Sequence, residues 1–302
     1  MIEIIRAAGL FQLLRPRSSG GPEVPVDTVL DIAMELARGD GSVAWVWTVM
    51  TTHDFLVAHF PAKARAEFWT DTTLSAASFT PAGKVTPANG GVPLSGRWSF
   101  CSGVDNADWM LLQAMFGPPG AAHPDVRMLM VPIGDCRIVD DWDVVGLRGT
   151  GSNSVIVDNA FVPEHCILKF EDLMAGKTPG SGDHASPAYR TPLWAIFPFS
   201  IAAVAPGIAR GAFEAFVAEK KATNALATLS PPKKNSLQMK SPRRAPSSTR
   251  PSFSSGPLCG RRSPRSWRRN PSAWNYGTQP PRSGVFRIPV KARDRSADGG
   301  RG

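Results

Sequence analysis

Between Val43 and Phe60, Trp45, Val49 and His53 recur every fourth residue, so on a helix they share one face. The stretch is apolar almost all round, which marks a buried helix. An imidazole in that setting is either a core histidine with satisfied nitrogens or a functional group with a displaced pKa. Residue types alone leave both readings open, and the core histidine is the commoner outcome. His59, near the helix end on a different face, has the same core reading.

Two further phrases could approach a flat ligand. Gly96-Arg97-Trp98-Ser99-Phe100-Cys101-Ser102-Gly103 reads as a strand ending in hydroxyls and glycine, where backbone and Ser102 can come close to a ring. Ser78-Phe79-Thr80-Pro81-Ala82-Gly83 has similar character. Each is equally an ordinary strand end with small residues at a turn. A third phrase, Gly146-Leu147-Arg148-Gly149-Thr150-Gly151-Ser152-Asn153, spaces its glycines almost like a dinucleotide loop. Its glycines precede a strand and open no helix, so a tight turn is the better reading.

Other chemistries lack their residues. There is no Gly-x-Ser-x-Gly elbow, no His-Glu-x-x-His pair and no phosphate-binding Gly-Lys-Ser/Thr loop. His123, His165 and His184 sit in Pro- and Gly-rich turns, where solvated side chains are expected. Cys101, Cys136, Cys166 and Cys259 are scattered with no C-x-x-C pair, which fits a reducing compartment and argues against structural zinc, and no metal is expected.

The elements that must position these residues change in period along the chain. Met1–Leu14 is a short amphipathic stretch, and Val26–Arg38 a helix with Val26, Val29, Leu30, Ala33, Met34 and Ala37 on one face. Ser42 is the expected N-cap of the buried helix, and Pro61 opens another short one. Leu74–Thr80, Gly91–Ser102, Trp109–Phe116, Val126–Pro132 and Ser154–Val162 read as strands of an antiparallel domain. Helical patterning resumes from Thr191 to Ala222, kinked or divided by Pro198 and Pro206.

The chain of 302 residues carries 34 Lys+Arg against 25 Asp+Glu, but the excess is local. Residues 241–302 hold 13 Arg, 1 Lys, 2 Asp and no Glu, so residues 1–240 are slightly acidic. In that tail Arg, Pro and Ser fill 33 of 62 positions without apolar periodicity, too little to offset ordering entropy. It reads as a basic arm for nucleic acid or as a GC-rich gene translated out of frame, and the second is favoured. No run of about 18 uninterrupted apolar residues exists and the N-terminus is a poor secretory signal, so a cytoplasmic protein without membrane contact is expected.

In this order the phrases resemble the acyl-CoA dehydrogenase superfamily: Leu36 to Ser42, Ser78 to Gly83, and Gly146 to Ser152 running on to Val162-Pro163-Glu164. Ala44-Trp45-Val46, Gly96 to Gly103 and Arg190-Thr191-Pro192-Leu193-Trp194 are similar to its flavin-dependent monooxygenase branch, which includes 4-hydroxyphenylacetate 3-hydroxylase oxygenases, steroid-degrading phenol hydroxylases and dibenzothiophene monooxygenases. The resemblance covers about residues 1–240.

It implies an α+β fold: a helical domain over 1–73, a middle antiparallel β-barrel over 74–170, a linker over 171–190, the start of a C-terminal helical bundle over 191–240, and the aberrant tail over 241–302. It implies a homotetramer that takes reduced FMN or FAD from a separate flavin reductase. Molecular oxygen would be captured as a flavin hydroperoxide, which hydroxylates a phenolic or polycyclic aromatic substrate. By position, Ser102 would bond the flavin near its reactive edge. Trp45, Ser78, Phe79, Phe100 and Cys101 would line the flavin site, and His53 would stabilise the peroxide or steer its proton.

The branch draws further site residues from later helices, and nothing beyond Lys240 matches them, so impaired activity is expected. Two alternatives stay open: an acyl-CoA dehydrogenase-type flavoprotein, and a non-catalytic chain with a nucleic-acid-binding tail. Nucleic acid is not the expected partner.

Overall fold

A computed structural model of the chain describes residues 1–70, 72–117 and 125–226. The tail reading, the bundle beyond Leu226 and His123 fall outside the described residues. The described chain opens with four helices: α1 (Ile2–Ala7), α2 (Val26–Gly39), α3 (Gly41–Val57) and α4 (Ala62–Phe68). α1 is half the expected length, because Gly9 turns into the left-handed region just beyond it.

α3 is capped by Asp40 rather than Ser42. The Asp40 carboxylate accepts from the amides of Ser42 (2.8 Å) and Val43 (3.0 Å), satisfying two donors the helix leaves open. α3 has no solvent face. Thirteen of its 17 residues are buried, and it packs against α2, the first strand and the later helices. Trp47 is fully buried, with its indole N–H donating to Leu10 O at 3.0 Å.

Seven strands follow: β1 (Ser75–Val85), β2 (Gly91–Trp98), β3 (Trp109–Phe116), β4 (Asp125–Pro132), β5 (Cys136–Val139), β6 (Ser154–Pro163) and β7 (Ile167–Lys169). They form one sheet in the order β5-β6-β2-β1-β3-β4-β7. The expectation of an antiparallel domain is corrected at one pair, because β1 and β3 run parallel, with Ser75 opposite Trp109 and Ala77 opposite Leu111. The chain reverses into β2 on one side of β1, then reverses again into β3 on the other, and two reversals restore the original direction. The sheet is therefore mixed.

Register along β1 shifts between Ser78 and Gly83, so Phe79 to Ala82 leave the regular ladder. Pro81 lies in that irregular stretch, where its missing N–H breaks no pairing. Trp98 closes β2 in the core, its indole N–H donating to Gln113 O at 2.8 Å.

Three helices complete the described chain: α5 (Phe170–Ala175), α6 (Phe197–Ala202) and α7 (Val204–Leu226). Pro198 and Pro206 both fall in first turns, where a missing N–H costs nothing, and the helices divide at Ala203. Among the described residues the stretch Leu193–Lys221 is long and apolar enough to cross a membrane by length and composition, and 39% of its apolar window is buried inside the protein. α7 lies close on α2: a Cβ on Gly207 would stand 2.4 Å from Met34 O, and one on Gly211 2.2 Å from Arg38 O.

Candidate active site

α3, β1, the end of β2 and α6 enclose a cavity of about 310 Å³ lined by Trp45, Val49, His53, Ala77, Ser78, Phe79, Thr80, Ser99, Phe100, Ser102, Phe197 and Ile201. A wider groove of about 840 Å³ over β5 and β6 has only exposed or half-buried titratable groups along it, including Arg97, Asp135 and Arg137. The smaller cavity is the one with a buried titratable group, a feature of functional sites.

That group is His53. Its Nδ1 lies 2.7 Å from Ser75 O, an atom that can only accept, so Nδ1 carries the proton and donates it. Burial pushes the imidazole pKa down to about 4, against a smaller opposing effect of the Ser75 bond. At neutral pH the ring is uncharged, with Nε2 as its hydrogen-bond acceptor. The helical spacing does what the sequence requires: Trp45, Val49 and His53 share the wall that α3 presents.

The facing wall is made where two chain segments are tied together. Cys101 N donates to Asn153 O (3.1 Å) and Gly103 N to Thr150 O (2.8 Å), holding residues 101–103 against the turn before β6. Gly151 in that turn has φ +49, and a Cβ there would stand 2.6 Å from Asp105 Oδ2, so the position demands glycine. The turn orients Ser102, whose Oγ accepts from Trp45 Nε1 (3.1 Å) and lies 2.8 Å from Ser152 Oγ. Ser78 donates through Oγ to Ser99 O at 3.1 Å, fixing the irregular part of β1 beside the end of β2.

Aromatic rings supply the remaining surface. Phe79, freed from the ladder, packs on Phe197 of α6 with centroids 5.0 Å apart. Phe100 sits at φ +61, a left-handed conformation unusual for phenylalanine; the residue is 71% exposed, and its ring stands edge-on to Trp142 at 5.8 Å.

The structure thus brings Trp45, His53, Ser78, Phe79, Phe100 and Ser102 to one cavity. Cys101 is not among its lining residues: it is fully buried behind the wall, with Sγ 3.5 Å from Trp98 O and its thiol pushed up to about 12 by burial. Phe197 and Ile201 were not singled out from sequence. Their i, i+4 spacing on either side of Pro198 is the only signal that could have found them.

The other histidines are placed differently from expectation. His184 is buried rather than solvated: Nδ1 lies 2.9 Å from Ser18 Oγ, and Nε2 lies 2.8 Å from Arg65 Nη1 and 2.9 Å from Ala58 O. Packing of the 178–190 segment against α3 and α4 excludes the water a turn usually provides. His165 is half-buried, 3.0 Å from the Glu67 carboxylate. These two and Cys166 bring ligand-type atoms within 4.8 Å of one another. His59 is a core residue, with Nδ1 2.8 Å from Thr178 Oγ1 and burial pushing its pKa down to about 4.

No family model matches the chain. It is 35% identical to the FADH(2)-dependent resorcinol hydroxylase, oxygenase component, of Rhizobium sp. over 219 residues, 72% of this chain and 54% of that protein. It is 34% identical to the oxygenase subunit HsaA of Rhodococcus jostii, covering 72% of this chain and 57% of that one. The crystal structure of the HsaA monooxygenase of M. tuberculosis superposes with a TM-score of 0.70 at 30% identity, covering 77% of this chain and 61% of that one. XiaF from Streptomyces sp., solved with FADH2 and glycerol, superposes with a TM-score of 0.63 at 28% identity over 72% of this chain and 55% of its own. The chain spans about half the length of the curated relatives it matches. Over the matched residues it belongs with the oxygenase components of flavin-dependent monooxygenases, proteins of the acyl-CoA dehydrogenase-like fold.

Proposed function

We propose that this cavity receives the ring system of a reduced flavin, and that the chain acts as the oxygenase component of a two-component monooxygenase hydroxylating a phenolic or polycyclic aromatic compound. The observation that carries the reading is the convergence of Trp45, Phe79, Phe100, Ser102 and a neutral His53 on one cavity. The relatives' names support it, one being called FADH(2)-dependent and another having been solved with FADH2. A separate flavin reductase is the implied partner.

The residues fit such a group. Trp45, Phe79, Phe100 and Phe197 offer flat apolar contact, while Ser102 and His53 Nε2 offer polar atoms, and a volume of about 310 Å³ suits a ring system. No Lys or Arg is among the lining residues, so phosphate groups of FMN or FAD would be held elsewhere. The reduced flavin, when bound, supplies the electrons that activate molecular oxygen. The protein's part is then physical: α3 excludes water from the site, and Trp45 holds Ser102 in place. Because His53 Nδ1 is committed to Ser75 O, Nε2 can accept a proton and later return it.

The domain layout we favour is a helical domain at 1–73, a barrel-like strand domain at 74–170, a connecting segment at 171–190 and a bundle beginning at 191. α1–α4, β1–β7 and α6–α7 support it by their order. A cytoplasmic homotetramer completes the reading. Anaerobic titration with reduced FAD and reduced FMN, followed by oxygen and resorcinol, tests it by mass spectrometry of the product. Retention of reduced flavin is expected, with an oxygen-dependent hydroxylated product formed at an impaired rate. Reduction of bound flavin by an acyl-CoA without any reductase would favour the dehydrogenase reading instead.

A further inference from the structure

At the far end of β2 from the cavity, two neighbouring elements bring three different metal-ligating groups together. The short turn Glu164–Cys166 follows β6, whose Pro163 pairs with Gly91 at the start of β2, whereas Ser99 and Phe100 of the cavity follow its end. The eight residues of β2 separate the two places by about 20 Å. Glu67, in the last turn of α4, meets the Glu164–Cys166 turn from the other side. His165 Nε2 lies 3.0 Å from each Glu67 carboxylate oxygen, and Cys166 Sγ lies 3.9 Å from Glu67 Oε2. Nitrogen, sulfur and a carboxylate oxygen all fall within 4.8 Å of one another.

Without a cation between them these groups conflict. Cys166 is buried, and burial together with the nearby Glu67 charge pushes its thiol up to about 11. Thiol and carboxylate thus disfavour each other's anions. Lys63, exposed one turn earlier on α4, acts on the thiol in the opposite sense but more weakly. A divalent metal removes the conflict, because one thiolate and one carboxylate balance its two charges while the imidazole adds a neutral nitrogen. Magnesium and calcium take oxygen ligands, so a set of sulfur, nitrogen and oxygen suits zinc. Around a tetrahedral zinc such ligand atoms stand about 3.3–3.6 Å apart. The observed separations of 3.0 and 3.9 Å bracket that spacing.

We propose that Glu67, His165 and Cys166 form a zinc site with water in the fourth position, joining α4 to the turn after β6. The site is independent of the flavin reading. Cys166 closes its inner side, and exposed Glu67 leaves a path for the ion to enter. Binding exchanges the Cys166 proton, released to water, for a zinc–sulfur bond, with no change of oxidation state. The missing C-x-x-C pair spoke against zinc only for sites built from paired cysteines. Here His165 is the neighbour of a single cysteine, and Glu67 arrives from another element.

The test uses the full chain, reduced and stripped of metal, titrated with cobalt(II) as a spectroscopic probe and with zinc(II) against a chromophoric chelator. A single cobalt per chain is expected, with sulfur-to-cobalt charge transfer in the near ultraviolet and the strong visible bands of a four-coordinate ion, displaced by zinc. Cys166→Ser should abolish the charge transfer. Glu67→Gln and His165→Ala should each weaken zinc by about 100-fold or more, beyond the range of about 10–100-fold that outer-shell partners command. Glu67 is exposed, so Glu67→Gln tests the site even if a change at buried Cys166 disturbs folding. Cys136→Ser, on β5, should leave both metals bound as in the wild type. A charge-transfer band that survives Cys166→Ser, or zinc affinity unchanged in all three site variants, would mean an adventitious ion only. Failure to bind either metal would leave a plain His165–Glu67 pair. Each of these results would overturn the proposal.

Discussion

His53 is buried as a neutral ring, and this makes a measurable claim on acid stability. An unfolded histidine has a pKa of 6.5, and burial takes the folded value down to about 4. Between these values the unfolded chain binds more protons than the native one, so stability rises with pH. The contribution is fully present above pH 6.5 and is lost as pH falls toward 4, reaching about 3 kcal/mol at 1.36 kcal/mol per pH unit. His53→Asn removes the titration while keeping an N–H able to reach Ser75 O. Its lost ring volume lowers stability at every pH, so the informative quantity is the slope.

Urea unfolding of both proteins from pH 7.5 to pH 5 measures that slope. The wild-type advantage should shrink by about 2 kcal/mol between pH 7 and pH 5, following the linkage relation. His59 and His184, both shifted down by burial, and Asp54, shifted up to about 6 by burial, remain in both proteins and cancel in the difference. Parallel curves across this range would refute the reasoning, because they would mean that His53 titrates alike in folded and unfolded chains.

Four more outcomes follow from described contacts. Asp54 pairs with buried Arg15 (3.4 Å) and accepts from Trp69 Nε1 (3.2 Å), so Asp54→Ala should cost about 3–5 kcal/mol by leaving the buried guanidinium without its counter-charge, read as a lower urea midpoint. Gly103 has φ +77, and a Cβ there would stand 2.9 Å from Val46 Cγ1, so Gly103→Ala should destabilise by about 2 kcal/mol, measured the same way. Cys101 should resist thiol labelling at pH 8 in the native chain and react only on unfolding, checked by peptide mass mapping, since its thiol is fully buried with a pKa near 12. Ile208, Phe213 and Phe216 of α7 are exposed, so Phe213→Glu should lower concentration-dependent self-association in light scattering, and an unchanged mass would count against that face being sticky.

Much of the site was legible because helical periodicity is local. The shared face of Trp45, Val49 and His53 follows from 3.6 residues per turn and needs no tertiary knowledge. The small and hydroxyl residues of Ser78 to Gly83 and Gly96 to Gly103 also announced close approach, and all but Cys101 of the residues chosen there line the cavity. What could not be read depended on distant contacts. Phe197 and Ile201 reach the cavity only because α6 packs on α3, and the Ser102–Ser152 bond exists only because two segments are tied by Cys101 N to Asn153 O and by Gly103 N to Thr150 O. His184 looked solvated because turn composition says nothing about what packs over a turn. The parallel β1–β3 pair escaped because alternation reveals strands and not their neighbours.

The cavity has two walls of different tolerance. On the α3 side Val49 and His53 belong to the buried centre of the protein, so enlarging or charging that wall disturbs the core itself. On the other side Phe79, Phe100 and Ile201 are half-buried or exposed, and Phe79 joins a loose group of rings with Phe170, Trp194 and Phe197 at 5.0–6.4 Å. Changes of size there can be taken up by neighbouring rings and by solvent at small cost. Changes meant to reshape the cavity should therefore be made on the α6 and Phe79 side and leave the helix alone: one wall is free to diversify, and the other is held still by the fold's own survival.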